Sequence, residues 1–320
     1  MRKLVLSALC FTLLFSGCSR KSETLMTFQG FDNVIDTSIK SYVSASSADF
    51  ISKTISVVME EDNNTTNPDI TGKAALMIND STQEVLYANS VYERIYPAST
   101  TKLLTALVAL KYSNPNDLVT VAEDNAGIQV YGAKLCRFKK GDTLTMEALL
   151  NCLLVYSGND ASVAIGEHIS GSEEAFVQLM NEEAKKIGAT STHFTNSHGL
   201  HNTNHYTTAY DMYLIFKACL EYEEFLPMIQ QPSYEAEIKD VNGKVRTVAY
   251  ETTNMFLLGT MKEPVGVTVY GGKTGSTSDA GDCLILYSKS DSDQGYISAV
   301  FKAKGKTSLY QQLSTLLEME

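Results

Sequence analysis

Ser99 and Lys102 stand three residues apart where an apolar, helix-forming run begins. A serine hydroxyl is a weak nucleophile until a base removes its proton. Helical positions i and i+3 share a face, so Lys102 comes within reach of Ser99. Lysine is a base only when neutral, which requires desolvation or a nearby positive charge to lower its pKa. Lys273, in the triplet Lys273-Thr274-Gly275, is expected to supply that charge from a facing strand while remaining charged itself. Between them in the chain lies Ser157-Gly158-Asn159. Ser157 can relay a proton to a leaving amine, and Asn159 can hold Lys102 and a substrate amide. Free N–H groups at the helix start beside Ser99, with the N–H of Ser276, would stabilise a developing oxyanion. The chemistry these residue types allow is acyl transfer through a serine ester.

Each signal alone is weak. A lone Ser-x-x-Lys reads equally well as a helix N-cap followed by a solvated lysine, and Lys-Thr-Gly as an ordinary strand end. Three such motifs in order, each at an element boundary, point to one site.

The elements that must position them follow from pattern. Ala74 to Ile78 and Glu84 to Tyr87, with Asp80-Ser81 between, form a β-hairpin. Lys102 to Lys111 has helical density and no breaker before Pro115. Thr145 to Leu154 predicts a second helix with Met146, Leu149, Leu150 and Leu153 on one face. Asp160 is expected to cap a third, ending at Gly171, and Ser172 a fourth, stopping at Gly188. Thr208 with Asp211 resembles a capping box opening a fifth. After Gly243 come strands at Val245 to Tyr250, Val265 to Tyr270, Cys283 to Ser288 and Tyr296 to Lys302, then a closing helix from Ser308 to Glu318. Strands at both sequence ends around a helical middle imply an α+β fold, one sheet being assembled from distant segments.

The remainder of the 320 residues bounds the setting. A net charge of −11 argues against a nucleic-acid partner, since nothing neutralises phosphates broadly. Arg2 and Lys3 precede the apolar run Leu4 to Phe15, which is shorter than the ~20 residues a membrane-spanning helix requires and suits a signal peptide. It ends in Leu14-Phe15-Ser16-Gly17-Cys18, so residues 1–18 are expected to be a lipoprotein signal with Cys18 lipidated. Residues 19–71 carry the polar stretches Ser44 to Ser47 and Glu60 to Pro68 and read as a tether, in which Phe50 to Met59 could form a short strand or helix. The catalytic domain is expected over 72–320. Cys136, Cys152, Cys219 and Cys283 show no Cys-x-x-Cys spacing, and their disulfide state is open.

Beyond the three motifs, Tyr96-Pro97-Ala98-Ser99-Thr100-Thr101-Lys102, Leu154 to Ala161, His198-Gly199-Leu200 and His205 to Met212 resemble the low-molecular-mass D-alanyl-D-alanine carboxypeptidases. The resemblance runs from about Lys73 to Glu318. It implies a penicillin-binding, β-lactamase-like serine-acyltransferase fold: a mainly antiparallel sheet flanked by helices, with a helical subdomain holding Ser157 above the cleft. It implies Ser99, Lys102 and Ser157 as catalytic residues, and Asn159, Lys273, Thr274, Gly275 and Ser276 as substrate-binding ones. It also implies peptidoglycan stem peptides ending in D-Ala-D-Ala as substrate, β-lactams as covalent inhibitors, and no cofactor. Relatives of this type extend into a second, β-rich domain and often an anchoring helix; here an N-terminal lipid is expected to replace that anchor. Many also carry an arginine for the substrate carboxylate just before the last helix, near which Leu309 falls here. Thr274 or, imperfectly, Lys306 is expected to take over, because lysine offers a point charge and no bidentate fork.

Three other readings compete. A class A β-lactamase uses the same motifs, but its water-activating glutamate is missing from Ser191-Thr192-His193-Phe194-Thr195-Asn196. His198, His201 and His205 lie close together, yet without the His-Glu-x-x-His spacing of a metal peptidase. A lipoprotein that binds stem peptides without turnover is the third.

Overall fold

The computed structural model describes residues 55–320; the expected signal segment with Cys18, and the tether as far as residue 54, lie outside the described residues. Five antiparallel strands form the main sheet: β1 (Ala74–Asn79), β2 (Val85–Asn89), β7 (Val267–Thr277), β8 (Gly281–Ser290) and β9 (Gly295–Ala303), in the order β2-β1-β9-β8-β7. The N-terminal hairpin docks on the C-terminal strands, Leu76 facing Ala299 in register. Here the α+β expectation holds. A second, four-stranded sheet joins β3 (Leu118–Thr120), β4 (Thr143–Thr145), β5 (Ser233–Lys239) and β6 (Val245–Glu251). It was not legible as such. β3 and β4 are three residues each, and β5 carries its alternation in a charged frame, with only Ala236 and Ile238 buried.

Seven helices are described: α1 (Lys102–Tyr112), α2 (Met146–Asn151), α3 (Asn159–Ser170), α4 (Glu173–Lys186), α5 (Ala209–Leu220), α6 (Phe225–Ile229) and α7 (Lys306–Leu317). Both faces of the main sheet are covered. Leu76, Ile78, Ile285, Ile297 and Phe301 pack with α1, α5 and the helical region, while Met77, Leu284, Leu286 and Val300 pack under Leu309, Leu313, Leu316 and Leu317 of α7. Hence β1 is buried at every position and shows no polar alternation.

Two local readings are corrected. Asp160 does not cap α3; Gly158 holds that position, and the Asp160 carboxylate accepts from the N–H groups of Cys136, Arg137 and Phe138 at 2.8, 2.8 and 3.3 Å. The second helix is capped by Thr145 and passes at Cys152–Tyr156 into a π-turn instead of ending at Leu154. In α4 the Ser172 cap holds, as does Thr208 on α5, though the Asp211 carboxylate turns to the Ser191 N–H.

Residues 55–71, expected in the tether, pack on the domain. Val58 and Ile70 are buried. The Ser56 N–H donates to the Tyr213 hydroxyl at 3.0 Å, and the Tyr210 hydroxyl donates to the Ser56 carbonyl at 3.0 Å. Within the polar stretch, Asn63 Oδ1 accepts from the Val91 N–H at 2.8 Å and the Thr65 N–H donates to the Ala88 carbonyl at 3.0 Å. Polar composition alone overlooks that β2 leaves an edge of unpaired backbone groups for this segment to satisfy. Residues 55–59 form neither strand nor helix. A chain starting at Gly72 should therefore be less stable than one starting at Ile55 by at least about 2 kcal/mol, seen as a lower urea midpoint. Equal midpoints would return these residues to the tether.

Candidate active site

The three motifs converge on one cleft. Ser99 sits in a 3-10 turn (Ala98–Thr101) that runs directly into α1. Ala98, just before it, has φ 47°, a left-handed conformation that costs a residue with a Cβ about 1–3 kcal/mol. β7 carries Lys273, Thr274 and Gly275 past this turn. A Cβ on Gly275 would lie 2.8 Å from the Pro97 carbonyl and 3.0 Å from the Ser99 nitrogen, so the strand needs glycine there to approach Ser99. From the other side Gly199 (φ +87°) lies so close that a Cβ would fall 1.9 Å from the Ala98 carbonyl. The π-turn ends in Ser157 at φ 72°, ψ 34°.

Lys102 is fully buried. Its Nζ lies 3.1 Å from Ser99 Oγ, 2.6 Å from Asn159 Oδ1 and 2.6 Å from the carbonyl of His198. Burial is the main reason its pKa falls to about 7; Cys136 and Asp160 oppose the fall and the Lys134 ammonium assists it. A neutral amine has two N–H donors and one lone pair. Asn159 and His198 offer two fixed acceptors for the donors, which leaves the lone pair facing the Ser99 hydroxyl.

Lys273 is also fully buried, its Nζ donating to Ser157 Oγ at 2.9 Å and to the Thr274 carbonyl at 3.0 Å. The expectation that it stays charged meets a physical obstacle. Burial, then Lys102 and Lys134, push its ammonium well below the usual lysine range. Two ammoniums in one dry cleft oppose each other, so full charge on Lys273 requires an anion to enter. Burial is the major cause of the low Lys102 pKa, and the ammonium that assists it is Lys134, not Lys273 as expected.

Ser99, Ser157, Asn159, Thr274, Gly275 and Ser276 all line a cavity of about 230 Å³. Lys306 and Leu309, from the first turn of α7, line it too, as does Lys134, which sequence reasoning missed. Lys134 has no motif around it; only the fold brings it to the cleft, where its carbonyl accepts the Asn159 N–H at 2.8 Å. The role of the His198 carbonyl was equally invisible, being a main-chain group. Thr253, whose hydroxyl bonds that of Thr274, is a third residue missed.

His205 braces the turn that carries Ser99. Thr101 Oγ1 donates to the Ala98 carbonyl at 2.8 Å and so accepts from His205 Nε2, 2.8 Å away, while His205 Nδ1 accepts from the Thr195 N–H at 3.1 Å. Burial above all pushes His198 and His205 down to about 3, which keeps both neutral. His201 lies 3.9 Å from the Asp279 carboxylate. Among the described residues, no three metal-ligating side chains converge. Among the described residues, Cys136, Cys152, Cys219 and Cys283 are buried free thiols.

A family model described as D-alanyl-D-alanine carboxypeptidase matches residues 61–305. The chain is 34% identical over 251 residues to D-alanyl-D-alanine carboxypeptidase DacF of Bacillus subtilis, covering 77% of this chain and 61% of the relative. It is 30% identical over 231 residues to the D-alanyl-D-alanine carboxypeptidase of Streptomyces sp. strain K15, covering 69% of this chain and 77% of that one. The chain thus spans about three fifths of the first of these relatives. Among solved structures, the Streptomyces K15 DD-transpeptidase superposes with a TM-score of 0.73 at 25% identity, over 80% of this chain and 98% of that one. Penicillin binding protein 5 from Haemophilus influenzae superposes with a TM-score of 0.68 at 28% identity, over 79% and 72%.

With Lys102 as base, acylation should be lost as pH falls through about 7, because protonation occupies the lone pair that faces Ser99. A pH profile of penicillin acylation that stays flat from pH 8 to 5 would remove Lys102 from that role. Gly275→Ala should slow acylation at least about tenfold with the fold retained, a 1 Å displacement at such a site being costly; circular dichroism alongside the acylation rate checks both halves.

Proposed function

Since the chain belongs to the D-alanyl-D-alanine carboxypeptidase family, we propose that it is a serine-type carboxypeptidase that removes the terminal D-alanine from peptidoglycan stem peptides ending in D-Ala-D-Ala. The observation that carries this reading is the Lys102 amine, fully buried and 3.1 Å from Ser99 Oγ, with two other acceptors already fixing its orientation.

In the proposed reaction, neutral Lys102 takes the Ser99 proton and Oγ attacks the carbonyl carbon of the penultimate D-alanine. The N–H groups of Ser99 and Ser276 hold the oxyanion. Ser157, bonded to Lys273, passes a proton to the departing D-alanine amine. Asn159 spends its Oδ1 on Lys102, leaving its Nδ2 hydrogens for a substrate carbonyl. Water then hydrolyses the ester. Penicillins would acylate the same serine and leave slowly, there being no glutamate in Ser191 to Asn196 to activate water.

The proposal extends to placement. The small residues before Cys18 support export and a lipid anchor at that cysteine, and among the described residues no helix is long and apolar enough to cross a membrane.

Ser99→Ala should abolish both D-alanine release and covalent labelling by a fluorescent penicillin; labelling that moves to another serine would sink the assignment. Lys102→Arg should lose acylation, since arginine has no accessible neutral form, whereas Lys273→Arg should only weaken it. Protein that takes up penicillin but releases no D-alanine would favour the non-catalytic binding reading. Cys18→Ser should move the protein out of the membrane fraction, and retention there after signal removal would reject the lipid anchor.

A further inference from the structure

The cavity above Ser99 holds two cations that the acyl-transfer steps leave without a task. Lys134 reaches it from the loop pinned by Asp160, on the Ser157 side. Lys306, the first residue of α7, lines the same cavity. Among the described residues neither side chain forms an ion pair. The half-buried Lys134 ammonium lies over the Tyr156 ring, 4.2 Å from its centroid, a contact that stabilises a cation without neutralising it. Asp282 is the one acidic residue lining the cavity. Hydroxyls of Ser157, Thr274 and Ser276 line it as well. Leu309, in the same turn as Lys306, contributes no donor.

We propose that Lys134 and Lys306 together receive the terminal carboxylate of the substrate, Lys134 acting as a specificity-determining residue from the Ser157 side. This rests on the carboxypeptidase reading and names the part of the site that would select a free C-terminus. An ammonium is a point charge, so two of them take the place of one planar fork. The electrostatics at Lys134 agree: burial first, and then Lys306, push its ammonium down, and an anion lying between the two lysines would offset that repulsion. The same anion would relieve Lys273, which Lys134 also opposes. Substrate entry and recharging of the cleft become one event.

The test compares kcat/KM for diacetyl-L-Lys-D-Ala-D-Ala and its C-terminal amide. It uses the parent chain, Lys134→Met, Lys306→Met and the double variant, with Lys140→Met as a control for loss of one charge on an exposed part of the same loop. Lys134 also helps hold down the pKa of Lys102, but that effect falls equally on both peptides and cancels in their ratio. The preference for the free acid should drop about ten- to hundredfold in each single variant, mainly through KM, and vanish in the double variant. An acid-over-amide ratio in Lys134→Met equal to that of the parent and of Lys140→Met would overturn the proposal. If the parent cleaves neither peptide, the carboxypeptidase reading fails on its own. The proposal is then decided by the same ratio measured as acylation rates with a penicillin and its methyl ester.

Discussion

Taking an ammonium out of water without a carboxylate beside it is among the least favourable things a fold can do, and this cleft does it at Lys102. The amine responds by giving up its proton near neutrality. Much of the surrounding structure follows from that constraint. A neutral amine still needs its two N–H groups satisfied, so Asn159 and the His198 carbonyl must be held in place to accept them. Asn159 is positioned by the left-handed Ser157 that ends the π-turn. His198 is positioned by a loop fastened to the 3-10 turn through His205 and Thr101, and to α1 through Thr105, whose hydroxyl donates to the Ser197 carbonyl at 2.6 Å.

The strain at Ala98 and Ser157 is supported by packing further out. The main sheet is buried on both faces, and β7 is held to it by pairing with β8 from Val267 to Thr277. That rigidity lets β7 pass within contact distance of Ser99, with Gly275 making the approach possible. Strained residues such as these persist only when the surrounding structure over-determines them.

Charge is distributed unevenly. A chain of net −11 concentrates Lys102, Lys134, Lys273 and Lys306 around one cavity. Burial first, and then neighbouring ammoniums, push Lys102, Lys134 and Lys273 down, so the cleft responds to an anion more strongly than separate lysines would.

Ser99 with Lys102, Ser157 with Asn159, and Lys273 to Gly275 were legible because their chemistry is written in short spacings that local structure preserves. The α+β class was legible for the same reason: apolar periodicity marks strands at both ends and helices between them. The second sheet was not, because strands of three residues carry no period, and the edge of β2 that orders residues 55–71 exists only once β1 has docked on β9. Lys134 and the His198 carbonyl lie outside every motif, since a main-chain acceptor has no sequence signature and a lone lysine reads as a solvated charge. The sequence by itself determined which groups could do acyl-transfer chemistry and in what order they occur. Only the tertiary structure decided their protonation, because a pKa depends on how much water the fold removes and on which charges it brings together from distant parts of the chain.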